Sequence, residues 1–144
     1  MGVILENKAI VVPASAWWVA QILKVIISLI RDKRLNLSYL VSMGGMPSAH
    51  TTLVCSLATT VGITEGLSST SFAIAAFFAV IVMYDAAGVR QAVGNQANLL
   101  NRMLDELFRG QPVFQEHLRE FIGHTRIEVL AGAILGIFLG WFWA

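Results

Sequence analysis

Charge is scarce in this chain. Only 13% of its 144 residues are Asp, Glu, Lys or Arg, and the formal net charge is +1. A soluble domain carries about 25% charged residues, so there is too little charge here to cover a water-facing surface. The near-neutral balance also excludes an electrostatic nucleic-acid binder, which needs a basic face. Cysteine is almost missing: Cys55 stands alone, which excludes a disulfide scaffold. What is abundant is apolar side chain, at 56%, and that excludes disorder. The length fits one domain. The expectation is an all-α integral membrane bundle, a single domain over residues 1–144.

The few charges are unevenly placed. From Leu35 to Tyr84 there is one, Glu65, and from Ile127 to Ala144 again one, Glu128. A spanning helix needs about 20 mostly apolar residues, and four stretches come close: Ser15–Ile30, Pro47–Ile63, Ser71–Val89 and Ile127–Trp143. Pro13 suggests a break or a helix start before the first. Trp17 and Trp18 near one end, with Trp141 and Trp143 at the other, suggest a shared interfacial belt. The connections around residues 31–46 and 90–126 hold eight of the ten basic residues. The positive-inside rule would make that side cytoplasmic.

An ionisable side chain within a span costs about 2.5–3.5 kcal/mol on insertion scales and marks function by default. Lys24 is such a residue, and Arg31 follows two helical turns later on the same face. Together they suit an anion at the membrane edge; the alternative is that both head groups snorkel to water. In Gly44-Gly45-Met46-Pro47-Ser48-Ala49-His50, two glycines allow close approach to a ligand and Pro47 suits a helix start. Ser48 and His50 would then lie where free N–H groups and the helix dipole favour an anion. A histidine there can protonate or bind a phosphate oxygen. The alternative is an ordinary helix start.

His124 and Glu128 are four apart, so on a helix they share a face. A carboxylate can fix the tautomer of an imidazole and leave its other nitrogen as nucleophile or base. Gly132, Gly136 and Gly140 continue that face, and glycine every fourth residue suits close helix packing. Tyr84-Asp85-Ala86-Ala87-Gly88-Val89-Arg90 reads as a helix leaving the membrane. There Asp85 could pair with Lys24 or an arginine, and Arg90 could bind an anion.

Taken in order, Lys24-x6-Arg31, Pro47-Ser48-Ala49-His50 and His124-x3-Glu128 resemble the three-part signature of the type 2 phosphatidic acid phosphatase superfamily, which also includes vanadium-dependent haloperoxidases. That signature reads K-x6-R-P, P-S-G-H and S-R-x5-H-x3-D. The strings around Met46 and Asp85 are close to its small, divergent membrane branch. The resemblance implies that His124 is a nucleophile forming a phosphohistidine, that Glu128 orients it and that His50 protonates the leaving group. It further implies that Lys24, Arg31 and Ser48 hold phosphate oxygens, helped by backbone N–H groups near Gly45, without metal or cofactor. Phosphoryl transfer needs mostly positioning and charge stabilisation, which cations at a helix terminus supply. The implied substrate is a lipid phosphate or an isoprenoid (polyprenyl) diphosphate, and the implied setting a bacterial inner membrane.

The sequence departs from the signature. Asp32 replaces its proline and Ala49 its glycine. His117 and Leu118 stand in place of Ser-Arg, with Arg119 one residue late. Arg90 or Arg126 is the candidate to restore the missing charge. Four spans are fewer than the six usual for membrane members, which leaves room for a homodimer that completes the pocket. Two other readings share these residues: a non-catalytic anionic-lipid binding or transport protein, and a structural membrane subunit built on the glycine stripe.

Overall fold

A computed structural model describes residues 5–33, 45–107 and 125–144. Its first long helix, α1, runs Lys8–Asp32. It opens on Asn7, whose side-chain oxygen accepts the Ala9 N–H at 2.9 Å, and closes on Lys33 in the left-handed region. The sequence suggested a boundary at Pro13, but Pro13 lies inside the helix. A proline in the second turn costs one N–H bond, yet Val12 and Pro13 are both buried, and packing carries the helix through. The buried face of α1 steps along Val12, Ala16, Ala20, Lys24 and Ser28, every fourth residue and therefore one stripe.

Helix α2 spans Ala49–Thr64 and α3 spans Thr70–Tyr84. They are joined by a tight turn in which Gly66 takes a positive φ of 88°, a conformation open to glycine. Ser69 then caps α3: its Oγ accepts the Phe72 N–H at 3.1 Å and donates to the Gly66 carbonyl at 2.8 Å. So short a link makes α2 and α3 antiparallel. Helix α3 continues through a π-helical turn, Asp85–Val89, into α4, Arg90–Leu107. The last helix, α5, spans Arg126–Trp143.

The bundle is all-α, and no strand occurs among the described residues. Among the described residues three stretches are long and apolar enough to cross a bilayer: Lys8–Ile30, Thr70–Gly88 and Arg126–Trp143. The fourth expected span, α2, has 16 residues, or about 24 Å, somewhat short of the ~30 Å hydrocarbon core. It is also the central helix, packed against α1, α3 and α5. Its interior face is hydroxylic, with Ser48, Thr51, Thr52, Ser56 and Thr60 all fully buried. Such residues can donate back to a helix carbonyl, as Thr52, Thr59 and Thr64 do.

The glycines of α5 make this packing close. A Cβ added at Gly132, Gly136 or Gly140 would sit 2.5, 2.4 or 2.9 Å from the carbonyl oxygens of Ser48, Thr52 and Ser56 in turn. Both series ascend together, so α2 and α5 run parallel. Thr52 Oγ1 ties them by donating to the Gly132 carbonyl at 3.1 Å.

Helix α1 runs the other way. Lys8 Nζ donates to the Ala144 carbonyl, so the start of α1 meets the end of α5. That level does not hold the expected tryptophan belt. Trp141 and Trp143 are in the last turn of α5, but Trp17 and Trp18 lie nine and ten residues beyond Lys8, about 14 Å further along the axis. They pack edge-to-face on each other, centroids 5.0 Å apart.

Candidate functional site

The topology brings the end of α1 and the starts of α2 and α5 to one end of the bundle. Lys24 lies sixteen residues past Lys8, and Glu128 sixteen before Ala144. In antiparallel helices joined at Lys8 and Ala144, those two positions fall level. Lys24 is indeed within electrostatic reach of Glu128. Its side chain is only 2% exposed. Beside Asp85, which the sequence offered as a partner for Lys24 or an arginine, Glu128 is a carboxylate whose field acts on Lys24.

Glu128 joins three elements. Its Oε2 accepts the Thr125 N–H at 3.1 Å while Thr125 Oγ1 accepts the Glu128 N–H at 3.3 Å. This reciprocal capping box satisfies two donors that a helix start leaves open. The Glu128 carbonyl accepts the Ser48 N–H at 3.0 Å, which pins the head of α2 to the first turn of α5. The field of the carboxylate also reaches Lys24 across the bundle.

Ser48 is the N-cap of α2, and Pro47 precedes the cap rather than opening the helix. The Ser48 hydroxyl accepts from Thr51 N at 3.4 Å and from Thr51 Oγ1 at 3.0 Å. With the N–H given to Glu128, the group Ser48 has left to turn toward a ligand is its hydroxyl proton. His50 is the second residue of α2 and half-buried, in the turn where the helix dipole favours an anion. Gly45 has φ 96°, so a side chain there would be strained.

The remaining expected residues are less fully seen. Asp85 opens the π-helical turn and is half-buried. Such turns often occur at functional sites, and Asp85 lies at the same end of the bundle because α3 is antiparallel to α2. Arg126 is exposed at the start of α5. Arg31 belongs to the last turn of α1 and Arg90 opens α4, but their side chains lie outside the described residues. So do His124, His117, Leu118 and Arg119. The shared helical face expected of His124 and Glu128 therefore also falls outside the described residues. Among the described residues no three His, Cys, Asp or Glu side chains converge as a metal-ligand set would.

Two features went unread in the sequence. One is the Ser48, Thr52, Ser56, Thr60 ladder on α2, visible as a small hydroxyl every fourth residue. The other is the Lys24–Glu128 relation, which no local spacing reveals.

A family model described as the divergent PAP2 family matches residues 5–139. An uncharacterized membrane protein of Bacillus subtilis strain 168, YuiD, is 37% identical over 147 residues, covering 94% of this chain and 93% of that protein. No solved structure matches. The bundle with its buried lysine, capped helix head and glutamate is thus that of a PAP2-related membrane protein, and the chain belongs to the divergent PAP2 family.

Proposed function

We propose that this protein is a membrane phosphatase that hydrolyses a lipid phosphate or a polyprenyl diphosphate at the Lys24–Glu128 end of the bundle. The observation that carries the reading is Lys24: a lysine 2% exposed, within a span and in the field of Glu128, whose carbonyl holds the capped head of α2. A buried cation is expensive, and a phosphate arriving between it and a helix N-terminus gains from both. Membership of the divergent PAP2 family supports phosphoryl chemistry.

In this reading Lys24, Arg31 and the Ser48 hydroxyl hold the phosphate oxygens, with Gly45, Arg90 and Arg126 as further contacts. His124 attacks phosphorus, and the bond to the leaving oxygen breaks as His50 supplies its proton. Water then cleaves the phosphohistidine, and His50 recovers a proton from that water. Glu128 orients and polarises His124 and stabilises the Lys24 ammonium through its field, and Asp85 supports the cationic groups from α3. The lipid tail stays in the bilayer throughout.

A second reading has one specific support. The Glu128 carboxylate is engaged in a capping box, a structural duty it would also have in a protein that only binds an anionic lipid. Phosphate release from a panel of lipid phosphates separates the two. Hydrolysis requires release by the wild type and its loss in both His124→Ala and His50→Ala. A wild type inert on every member that still binds them overturns hydrolysis and leaves binding.

A further inference from the structure

The buried face of α1 changes character as it nears the candidate site. Val12, Ala16 and Ala20 are apolar, but from Gln21 to Ile30 the buried residues are Gln21, Lys24 and Ser28. Gln21 is 5% exposed, and its Oε1 is enclosed without a hydrogen-bond partner. A buried amide oxygen left unpaired is costly, so it points to a donor that arrives with a ligand.

The position of Gln21 narrows the choice of ligand. It precedes Lys24 by three residues, so the two are neighbours on one helix face, about 5–6 Å apart at Cβ. Lys24 is level with Glu128, and Gln21 is therefore level with Ala131, beside Gly132. A Cβ added at Gly132 would touch Ser48, which puts Gln21 at the height of the α2 cap. An anion held by Lys24 and the Ser48 hydroxyl therefore lies against the Gln21 amide. Lys24 and Ser48 offer that anion hydrogens. Gln21 Oε1 offers a lone pair, which a fully ionised phosphate cannot use. A phosphate that keeps one proton can use it, through its P–O–H group.

The charges at this end favour the same species. Among the described side chains Lys24 is a buried cation with Glu128 acting on it. Asp85 is half-buried at the same end, while Arg126 is exposed. One buried positive charge among two carboxylates suits a monoanion better than a dianion.

We propose that Gln21 Oε1 accepts the P–O–H hydrogen of a singly protonated terminal phosphate. The site thereby selects such phosphates over sulfate esters and phosphodiesters, which carry no such proton. The proposal rests on the phosphate-site reading above and names the form of substrate that site takes. A site built to bond a substrate hydroxyl rejects an analogue lacking it, because its own polar atom is left unpaired.

The test uses the full chain in lipid nanodiscs and two ligands that cannot be hydrolysed, hexadecylphosphonate and hexadecylsulfonate. They match in shape, and near about pH 6, around the second pKa of phosphate head groups, the protonated phosphonate also matches the sulfonate in charge. Expected is phosphonate binding about tenfold or more tighter than sulfonate binding, the scale of one buried acceptor satisfied or left unpaired. Gln21→Met should weaken phosphonate binding about tenfold and leave sulfonate binding unchanged. Gln21→Glu, which keeps an acceptor, should retain the preference, and Ile22→Met on the exposed face should alter neither affinity. A wild type that binds both ligands alike overturns the proposal, even where it releases phosphate from lipid phosphates, and this arm stands if Gln21→Met fails to fold. Equal weakening of both ligands by Gln21→Met also overturns it, since the amide would then be a donor. So does a Gln21→Met protein with both affinities unchanged. Preference for the phosphonate, lost in Gln21→Met, in a protein that releases no phosphate sustains the Gln21 acceptor and counts against hydrolysis alone.

Discussion

Replacing Gly136 with alanine adds one methyl group at the tightest point between α2 and α5. Its Cβ would lie 2.4 Å from the Thr52 carbonyl oxygen and 2.9 Å from Cys55 Cβ. Ordinary contact begins near 3.4 Å, so the helices must part by about 1 Å, and close-packed interiors do not yield freely. Neither obstacle is the far end of a flexible side chain. The separation also stretches the Thr52 to Gly132 hydrogen bond, now 3.1 Å. Overpacking of this kind costs about 1–3 kcal/mol. At roughly 4 °C per kcal/mol for a chain of this size, the unfolding midpoint in detergent should fall by about 4–12 °C. The paired control is Gly88→Ala, where an added Cβ meets nothing within 4 Å. That change should be neutral or slightly stabilising, since Gly in a helix interior costs roughly 0.5–1 kcal/mol relative to Ala. Thermal melts of the purified protein, followed by tryptophan fluorescence, read both. A Gly136→Ala protein that melts with the wild type would refute the parallel α2–α5 register, and with it the placement of Ser48 beside Glu128.

Other outcomes follow from single residues. Lys24→Met removes the buried cation and should weaken binding of a lipid phosphate at least about tenfold, near 1.4 kcal/mol, as read by titration in nanodiscs; unchanged affinity would remove Lys24 from the site. Glu128→Gln keeps an acceptor for the Thr125 N–H but removes the charge. Phosphate release should therefore fall while the melting midpoint moves little, and a large stability loss with activity intact would make Glu128 purely a cap. Thr125→Ala should lower stability by about 1 kcal/mol, the usual worth of an N-cap, as measured by the same melts.

Much of this architecture was legible because membrane helices announce themselves by length and apolarity. The spans at Thr70–Gly88 and Arg126–Trp143 were placed to within a residue or two. The Gly132, Gly136, Gly140 stripe was read correctly as a packing face, since glycine spacing encodes close approach directly. The start of α1 was misread because Pro13 is a strong local signal that burial of its neighbours overrides. The role of α2 as a short central helix was hidden because its buried face is built of Ser and Thr, which register as polar in the sequence. The relation of Lys24 to Glu128 depends on the antiparallel docking of α1 on α5, a tertiary fact with no trace in local spacing.

The most direct test of the central claim is to trap the intermediate. The full chain is mixed with a lipid phosphate labelled in its phosphoryl group, quenched in alkali to preserve phosphohistidine, digested and sequenced by mass spectrometry. A labelled phosphate on His124, absent in His124→Ala and prolonged when water attack is slowed, is the expected result. Phosphate release that proceeds with no label on His124, or that persists in His124→Ala, would contradict hydrolysis through this residue.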